Sequence, residues 1–585
     1  MNDRLHVARE RELITPADAH LARHLLSIER QPPAFLDLLI ALTSARVRDG
    51  HVCLSIRSDP ALEELNIAPD LETLRACPLV GTPGETGRPL ILEDTRLYLA
   101  RYHAWERQVI RTVGKLLEGK PPLFDEKLLR QDLETTFGGN PSGETDWQQV
   151  AAALAVTRRL CIISGGPGTG KTWTLARILK LLRRQPGGET LRIALAAPTG
   201  KAAARMTESI HAADPELLDE DGEARTLHRL LGMRPGRIQP RYGEDNPLPV
   251  DLLIVDEVSM VDLPMMARLL GALPEHARLI LLGDRHQLAS VEAGQVMADL
   301  CGEGGQVYSR ETTKTVRDLT GIRLPASSDP QPKMADHLVE LRRSRRFDPE
   351  RGIGRLAAVV KAGDPAGLPP VLEAESEEIE WRFADGETLR DLVQEQVVPL
   401  FRAIRETGNP AEALAHLEDV RLLCAVREGP QGVRHLNRLV ERALGVGGQG
   451  LYHGQPVMVT VNDYEQSLFN GDIGLVLRDD RGRLRVWFPR GADRMRQVLP
   501  SRLPAHETVY AMTIHKSQGS EFDKVLLVLP EQESPVVTRE LLYTGITRAR
   551  RKVVLCAGIE TLQQALERRV HRESGLYLAL WNAPY

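Results

Sequence analysis

Residues 165–172 read Gly165-Gly166-Pro167-Gly168-Thr169-Gly170-Lys171-Thr172, a G-x-x-x-x-G-K-[ST] loop whose backbone N–H groups can wrap phosphate oxygens. The glycines let successive N–H groups turn inward. Lys171 brings a positive charge to the β- and γ-phosphates, and the Thr172 hydroxyl is a Mg²⁺ ligand. Further on, Leu252-Leu253-Ile254-Val255-Asp256-Glu257 delivers two adjacent carboxylates. Asp256 suits Mg²⁺, and Glu257 suits activation of a water molecule. A third run, Ile280-Leu281-Leu282-Gly283-Asp284-Arg285-His286-Gln287, adds a glutamine whose amide can sense a γ-phosphate. Together these side chains spell hydrolysis of ATP with Mg²⁺.

That chemistry needs elements that hold it. The apolar run 160–164 predicts a buried strand, and 174–182 has helical periodicity, so the loop opens onto a helix N-terminus where an anion is favoured. Apolar strands alternate with helical patterns from about 146 to 300, which predicts an α/β unit with a parallel sheet. The carboxylates then fall at the carboxyl ends of strands, where such sheets bind ligands. A second α/β region spans 336–450 and resumes over 505–585. Between them, alternating runs at 456–461 and 484–488, punctuated by Asn470-Gly471-Asp472 and Asp480-Arg481-Gly482, predict a small antiparallel β-barrel over 451–504. Residues 1–115 carry helical patterns such as 35–42 and predict a mainly helical domain. The loop-forming stretch 138–143 sets this region apart from the ATP-binding core, whose domain spans 116–335, and 302–335 reads as a surface insertion.

At 585 residues the chain exceeds what one core organises. Its 42% hydrophobic and 26% charged residues are those of a soluble globular protein. The net charge of −5 means that a nucleic-acid partner must meet a local basic surface. Cysteines 53, 77, 161, 301, 424 and 556 are scattered, which argues against structural zinc and for a reducing compartment. The first twelve residues are polar, and no apolar run approaches the ~18 residues that span a bilayer. A cytoplasmic location is expected.

The order of motifs resembles superfamily 1 helicases, and their wording resembles the RecD branch. The residues that carry this are 165–172, Ala196-Ala197-Pro198-Thr199-Gly200-Lys201-Ala202-Ala203-Ala204-Arg205, Thr226-Leu227-His228-Arg229-Leu230-Leu231-Gly232, Asp256-Glu257-Val258-Ser259-Met260, 283–294, 513–522 and Tyr543-Thr544-Gly545-Ile546-Thr547-Arg548-Ala549-Arg550. The resemblance covers roughly 140–585 and implies two RecA-like P-loop NTPase domains. It makes 451–504 an SH3-like subdomain and 233–250 the place of a pin-like β-hairpin at the duplex junction. By the same resemblance, Gln148 reads adenine, with Gln149 as the competing assignment, and Gly519 and Glu521 face the γ-phosphate and the ribose. Arg346 reaches the γ-phosphate across the cleft, the choice among the arginines of 342–346 remaining open, and Arg548 is an arginine finger. Pro198, Thr199, Lys201, His228, Arg229, Thr513 and His515 would contact DNA, mostly at its phosphates.

The function so implied is that of an ATP-dependent DNA helicase moving 5′-to-3′ on single-stranded DNA, loaded at duplex ends, in double-strand-break repair and recombination. Its place would be the α subunit of the RecBCD helicase–nuclease (exonuclease V), with RecB and RecC as partners, 1–115 docking on RecC, and the nuclease residing in RecB. A standalone helicase of the same branch, a scaffold whose ATP binding regulates partner subunits, and a DNA-independent ATPase are the alternatives.

Overall fold

The computed structural model describes residues 2–29, 32–138, 144–218, 222–234, 236–237, 239–325, 327, 331–448, 450–463, 465–490 and 494–582. All but the first residue of the expected loop at 138–143 lies outside these residues, as do 326 and 328–330 of the expected insertion and 235 and 238 of the expected pin.

Helices Asn2–Glu10, Pro16–Leu26 and Leu36–Arg48 begin the chain around a core that includes Leu5, Ala22, Leu39 and Leu42. The second of these is set by a capping box, in which Thr15 and Asp18 exchange side-chain and backbone hydrogen bonds, with Pro16 in its first turn. The helical expectation is incomplete here. Short strands β1 (Leu54–Ser55), β2 (Val80–Gly81), β3 (Leu90–Glu93) and β4 (Arg96–Leu99) form a sheet in the order β1-β4-β3-β2. Strands of two to four residues are too short to show an alternating pattern. The next helix, Ala100–Glu118, runs through the expected domain boundary at 115. Its buried stripe of Val109, Val113 and Leu116 packs with residues of helix Leu263–Gly271 in the core beneath the first parallel sheet, so no boundary falls there.

That first sheet comprises β5 (Leu160–Gly165), β6 (Ile193–Ala197), β7 (Arg225–Thr226), β8 (Leu252–Val255), β9 (Arg278–Gly283) and β10 (Leu338–Leu341), in the order β10-β5-β9-β8-β6-β7 with every pair parallel. β5, β8 and β9 are apolar runs buried on both faces, as strands covered by helices must be. β10 lies past the expected end of this unit at 335, yet it pairs with β5 from Leu338↔Ile162 to Leu341↔Gly165. The described residues of 302–335 are not the surface insertion expected, since Tyr308 and the Val316 and Leu319 side chains of helix Arg310–Thr320 are buried in a core with Ile163 and Val339; the chain then returns to its own sheet, and the boundary moves beyond 341.

The second sheet takes β11 (Ile379–Arg382) and β12 (Val420–Cys424) before an excursion through β13 (Gln455–Val459), β14 (Ile473–Arg478), β15 (Leu484–Arg490), β16 (Arg494–Val498) and β17 (His506–Thr508). It then resumes with β18 (Ala511–Thr513), β19 (Phe522–Val528) and β20 (Ala549–Cys556), in the all-parallel order β11-β20-β19-β12-β18. The excursion is antiparallel, in the order β16-β15-β14-β13-β17. Among the described residues no ladder joins β16 to β17, so it is an open sheet rather than the closed barrel expected, and β17 extends it past 504.

The described residues of 233–250 form turns and one isolated bridge, Gly243↔Asn246, in place of the expected hairpin. Pro240, Pro247 and Pro249 have no N–H to give a ladder, and Leu248 and Val250 tuck into the core. The chain's last helix, Leu576–Trp581, also departs from expectation: Leu576 and Leu580 join the core of the first sheet, not the second. Just before it, Arg572 donates to the carbonyls of Ser290 (2.7 Å), Glu292 (2.8 Å) and Gly294 (2.7 Å), and the Gly575 N–H donates to Glu106 (2.9 Å). Among the described residues no helix is long and apolar enough to cross a membrane.

Candidate nucleotide site

β5 ends at the phosphate loop, and helix Lys171–Arg184 begins at its far side. Gly168 (φ 77°) and Gly170 (φ 83°) take the left-handed conformation that curls the loop. The Lys171 ammonium sits inside the curl, 2.6 Å from the Gly165 carbonyl oxygen and 3.4 Å from that of Gly166. Thr169 donates to the Gly166 carbonyl at 2.8 Å. Thr172 stands in the first helical turn, half-buried.

Asp146 caps helix Trp147–Thr157 by accepting from the N–H groups of Gln148 and Gln149. Only Gln148 is shown bonding to the loop: its Nε2 donates to the Thr169 carbonyl at 2.8 Å, and its Oε1 accepts from Arg345 at 3.0 Å. The arginine cluster also sorts itself. Arg345 donates its N–H to the Gly168 carbonyl (2.8 Å), and the preceding Ser344 hydroxyl reaches the Pro167 carbonyl (3.2 Å). Arg346 forks onto Glu521 at 2.8 and 2.9 Å, and its Cβ stands where a side chain on Gly168 would go. Arg342 lies over the Trp147 ring (5.1 Å), and Arg343 is exposed beside Glu144 (3.8 Å).

β8 presents Asp256 and Glu257 at its carboxyl end. Burial, then the Glu257 charge, push the Asp256 carboxyl up to about 6 against the pull of Lys171. Glu257 has φ 54°, a strained conformation for a non-glycine residue, and its N–H donates to Asp256 at 2.8 Å. The buried Asp256 carboxylate, within electrostatic reach of Lys171, and the hydroxyl of Thr172 next to Lys171 in the chain are hard oxygen donors of the kind Mg²⁺ takes. After β9, Asp284 is 1% exposed and accepts from the His286 N–H (3.0 Å), Gln287 Nε2 (3.2 Å) and the Tyr543 hydroxyl (3.1 Å). Among the described residues Gln287 Oε1 and Ser259 Oγ are buried without a partner.

The second unit supplies the facing wall. Gly519 accepts from Arg205 at 2.9 Å. Burial raises Glu521, but Arg346 foremost, with Arg205 and Arg548, outweighs it and holds the carboxyl below its usual range. Arg548 is buried, and its hydrogen bonds go to the carbonyls of Thr544 and Ser520 (both 3.2 Å), not to the phosphate loop.

The residues expected on DNA are dispersed in their roles. Thr199 caps helix Gly200–Ala213 through the Ala202 N–H (3.2 Å), and Pro198 beside it is half-buried. Lys201 lies 5.9 Å from the Phe522 ring, its ammonium lowered to about 8 by burial and then by Arg205. Thr513 is buried at the end of β18, and His515 is half-buried, lowered by burial and then by Arg572. His228 and Arg229 are exposed on helix Leu227–Leu230. The sequence reading missed Ser344 and Tyr543 as parts of the site and left Arg345 within an undivided cluster of arginines. Tyr543 stands inside a quoted motif, but no spacing says that its hydroxyl crosses to Asp284.

A phosphate loop on one parallel sheet, walled by residues from a second parallel sheet, defines a P-loop NTPase of the two-sheet motor class. Matching family models are described as "AAA domain" over 148–293, "UvrD-like helicase C-terminal domain" over 508–556, and "RecBCD enzyme subunit RecD, N-terminal domain" over 10–98. The RecBCD enzyme subunit RecD of Mycolicibacterium smegmatis is 40% identical over 97% of this chain and 97% of its own. That of Haemophilus influenzae is 37% identical over 83% and 80%. The ATP-dependent RecD2 DNA helicase of Deinococcus radiodurans is 32% identical over 70% of this chain but 48% of its own. A solved structure of Pif1 helicases at forked duplex DNA aligns over 72% of this chain and 94% of its own at 20% identity, with a TM-score of 0.38. The chain belongs to the family of the RecBCD enzyme subunit RecD, ATP-dependent DNA helicases of superfamily 1.

Proposed function

We propose that this chain is the 5′-to-3′ motor subunit of a RecBCD complex. It works with RecB and RecC, moves on single-stranded DNA from duplex ends, and serves double-strand-break repair and recombination in the cytoplasm. The observation that carries this reading is the shared nucleotide site: Arg346 joins the phosphate loop to Glu521, and Tyr543 joins Asp284 to the second unit. Hydrolysis at such a site is coupled to movement between units. Thr172 and Asp256 hold Mg²⁺, Glu257 takes a proton from the attacking water, and Lys171, Arg346 and Arg548 neutralise charge on the transferring phosphoryl group. Gln148 reads adenine, and Gly519 with Glu521 lines the sugar side. Pro198, Thr199, Lys201, His228, Arg229, Thr513 and His515 follow the DNA strand. The antiparallel sheet takes the part of the SH3-like subdomain, and the N-terminal region docks on RecC. Identity of 40% to a RecBCD subunit, against 32% to the RecD2 helicase, and the match of residues 10–98 to the N-terminal domain of the RecBCD subunit favour a complexed subunit over a standalone enzyme.

The test is Lys171→Gln. The variant is expected to assemble normally while DNA-stimulated ATP hydrolysis by this subunit falls at least about a hundredfold. Unwinding by the complex that is unchanged in the variant would support the scaffold reading instead. Hydrolysis by the native chain that is equal with and without DNA would support the DNA-independent ATPase.

A further inference from the structure

The loop that carries Gln287 belongs to the first sheet, but the second unit holds it at three points. The Tyr543 hydroxyl bonds Asp284 Oδ2 (3.1 Å), the Thr544 hydroxyl accepts from the Leu288 N–H (2.9 Å), and Gln518 Nε2 donates to the Leu288 carbonyl (3.1 Å). Gln287 is thus fixed from both sides by the other unit. A carboxylate can only accept, so the phenol must donate and Gln287 must present its Nε2 to Asp284 (3.2 Å). That choice commits the amide's donor end and leaves Oε1, the acceptor end, buried without a partner among the described residues. Tyr543 is itself buried on helix Arg539–Ile546, and its hydroxyl lies 2.6 Å from where a Cβ on Gly166 of the phosphate loop would stand. The chain of contacts therefore begins at the phosphate loop and ends at an orphan acceptor.

We infer that Tyr543 is a positioning residue for ATP hydrolysis: acting through Asp284, it orients the Gln287 amide so that Oε1 accepts a hydrogen bond from the water attacking the γ-phosphate. Gln287 then acts on the nucleophile as an acceptor, not on the γ-phosphate as a donor. Because Tyr543 sits on the second unit, the water is oriented only when the two units are in register. The inference rests on the ATPase reading of this site.

The experiment follows the Lys171-dependent part of ATP hydrolysis in the assembled complex, obtained by subtracting the rate with Lys171→Gln. Tyr543→Phe keeps the ring and removes the donor. It is expected to lower kcat about tenfold or more while leaving KM for ATP and the melting temperature nearly unchanged. Asp284→Asn, whose amide permits Gln287 to reverse, should lower kcat similarly. The double variant should be no worse than either single one, since the two residues act as a unit. A Tyr543→Phe enzyme with native kcat, a loss confined to KM or melting temperature, or fully additive effects in the double variant would overturn the inference. A native complex with no Lys171-dependent hydrolysis at all would overturn the ATPase reading, and the inference with it.

Discussion

Asp256 and Glu257 are neighbours in sequence but not in environment. Asp256 is buried at the end of β8, its carboxyl held up near 6 by burial and by the Glu257 charge. A protonated carboxyl does not ligate a cation, so Mg²⁺-dependent binding of a non-hydrolysable ATP analogue should weaken with acid at a higher pH than an ordinary aspartate would dictate. In Glu257→Gln one of the two causes is gone, and the inflection should move to lower pH. The nucleotide titrates identically in both proteins, so the difference between the two titration curves isolates Asp256; coincident curves would refute the assignment. At this scale most of the site was legible, because the phosphate loop, Asp256-Glu257 and Asp284 to Gln287 are contiguous motifs with separate chemical duties. What stayed hidden was set by distance in sequence. Gln148 and Gln149 are indistinguishable as letters, and it is Gln148 whose amide meets the Thr169 carbonyl of the phosphate loop, at 2.8 Å. Arg345 and Tyr543 enter the site through partners that lie far away along the chain.

Among the elements, helix Gly200–Ala213 connects the two units, since Arg205 on it donates to the Gly519 carbonyl. Its N-terminus depends on the Thr199 hydroxyl. Thr199→Ala should cost about 1 kcal/mol of stability in denaturant unfolding, and Thr199→Ser should recover most of it. A DNA-contact role for the same hydroxyl gives a different signature: weakened single-strand binding at unchanged stability. Elements with strong periodicity, such as helix Lys171–Arg184 and the runs of β5, β8 and β9, announce themselves in the sequence. β10 does not, because its membership in the first sheet is decided by pairing with β5 across a long connection. Nor does the end of helix Ala100–Glu118 look different on either side of 115, since one apolar stripe runs through it. The expected hairpin at 233–250 fails for the opposite reason: its prolines signal a turn-rich segment, and what decides its course is the burial of Leu248 and Val250.

The whole molecule is closed by its C-terminal segment. The Val52 N–H donates to Glu573 (2.8 Å), the Ser574 hydroxyl to Asp299 (2.9 Å) and the Gly575 N–H to Glu106 (2.9 Å), so this segment touches the N-terminal region and the first sheet at once. Burial pushes Asp299 up to about 7, although Ser574 and Gln295 pull it down. A folded-state value above the unfolded one makes the contribution to stability fully present below the ordinary aspartate value of 3.8 and lost as pH rises from there through about 7. Thermal unfolding of Asp299→Asn should therefore vary less between about pH 5 and 7 than that of the native protein; parallel curves would refute this. No local pattern discloses such a return, because its evidence lies hundreds of residues apart. It has a mechanical meaning. The second unit leaves the first at 342–346 and is fastened to it again at 572–575. A swing about the line through these two crossings is the motion that stretches neither connection, and the hydrogen bonds of Tyr543, Thr544, Gln518 and Arg205 between the units are what it must break and remake. One crossing lies against the phosphate loop, so the fulcrum sits beside the nucleotide. A displacement of ångström size there is geared up with distance from that axis, and the longest stroke falls to the parts of the second unit that lie farthest from it.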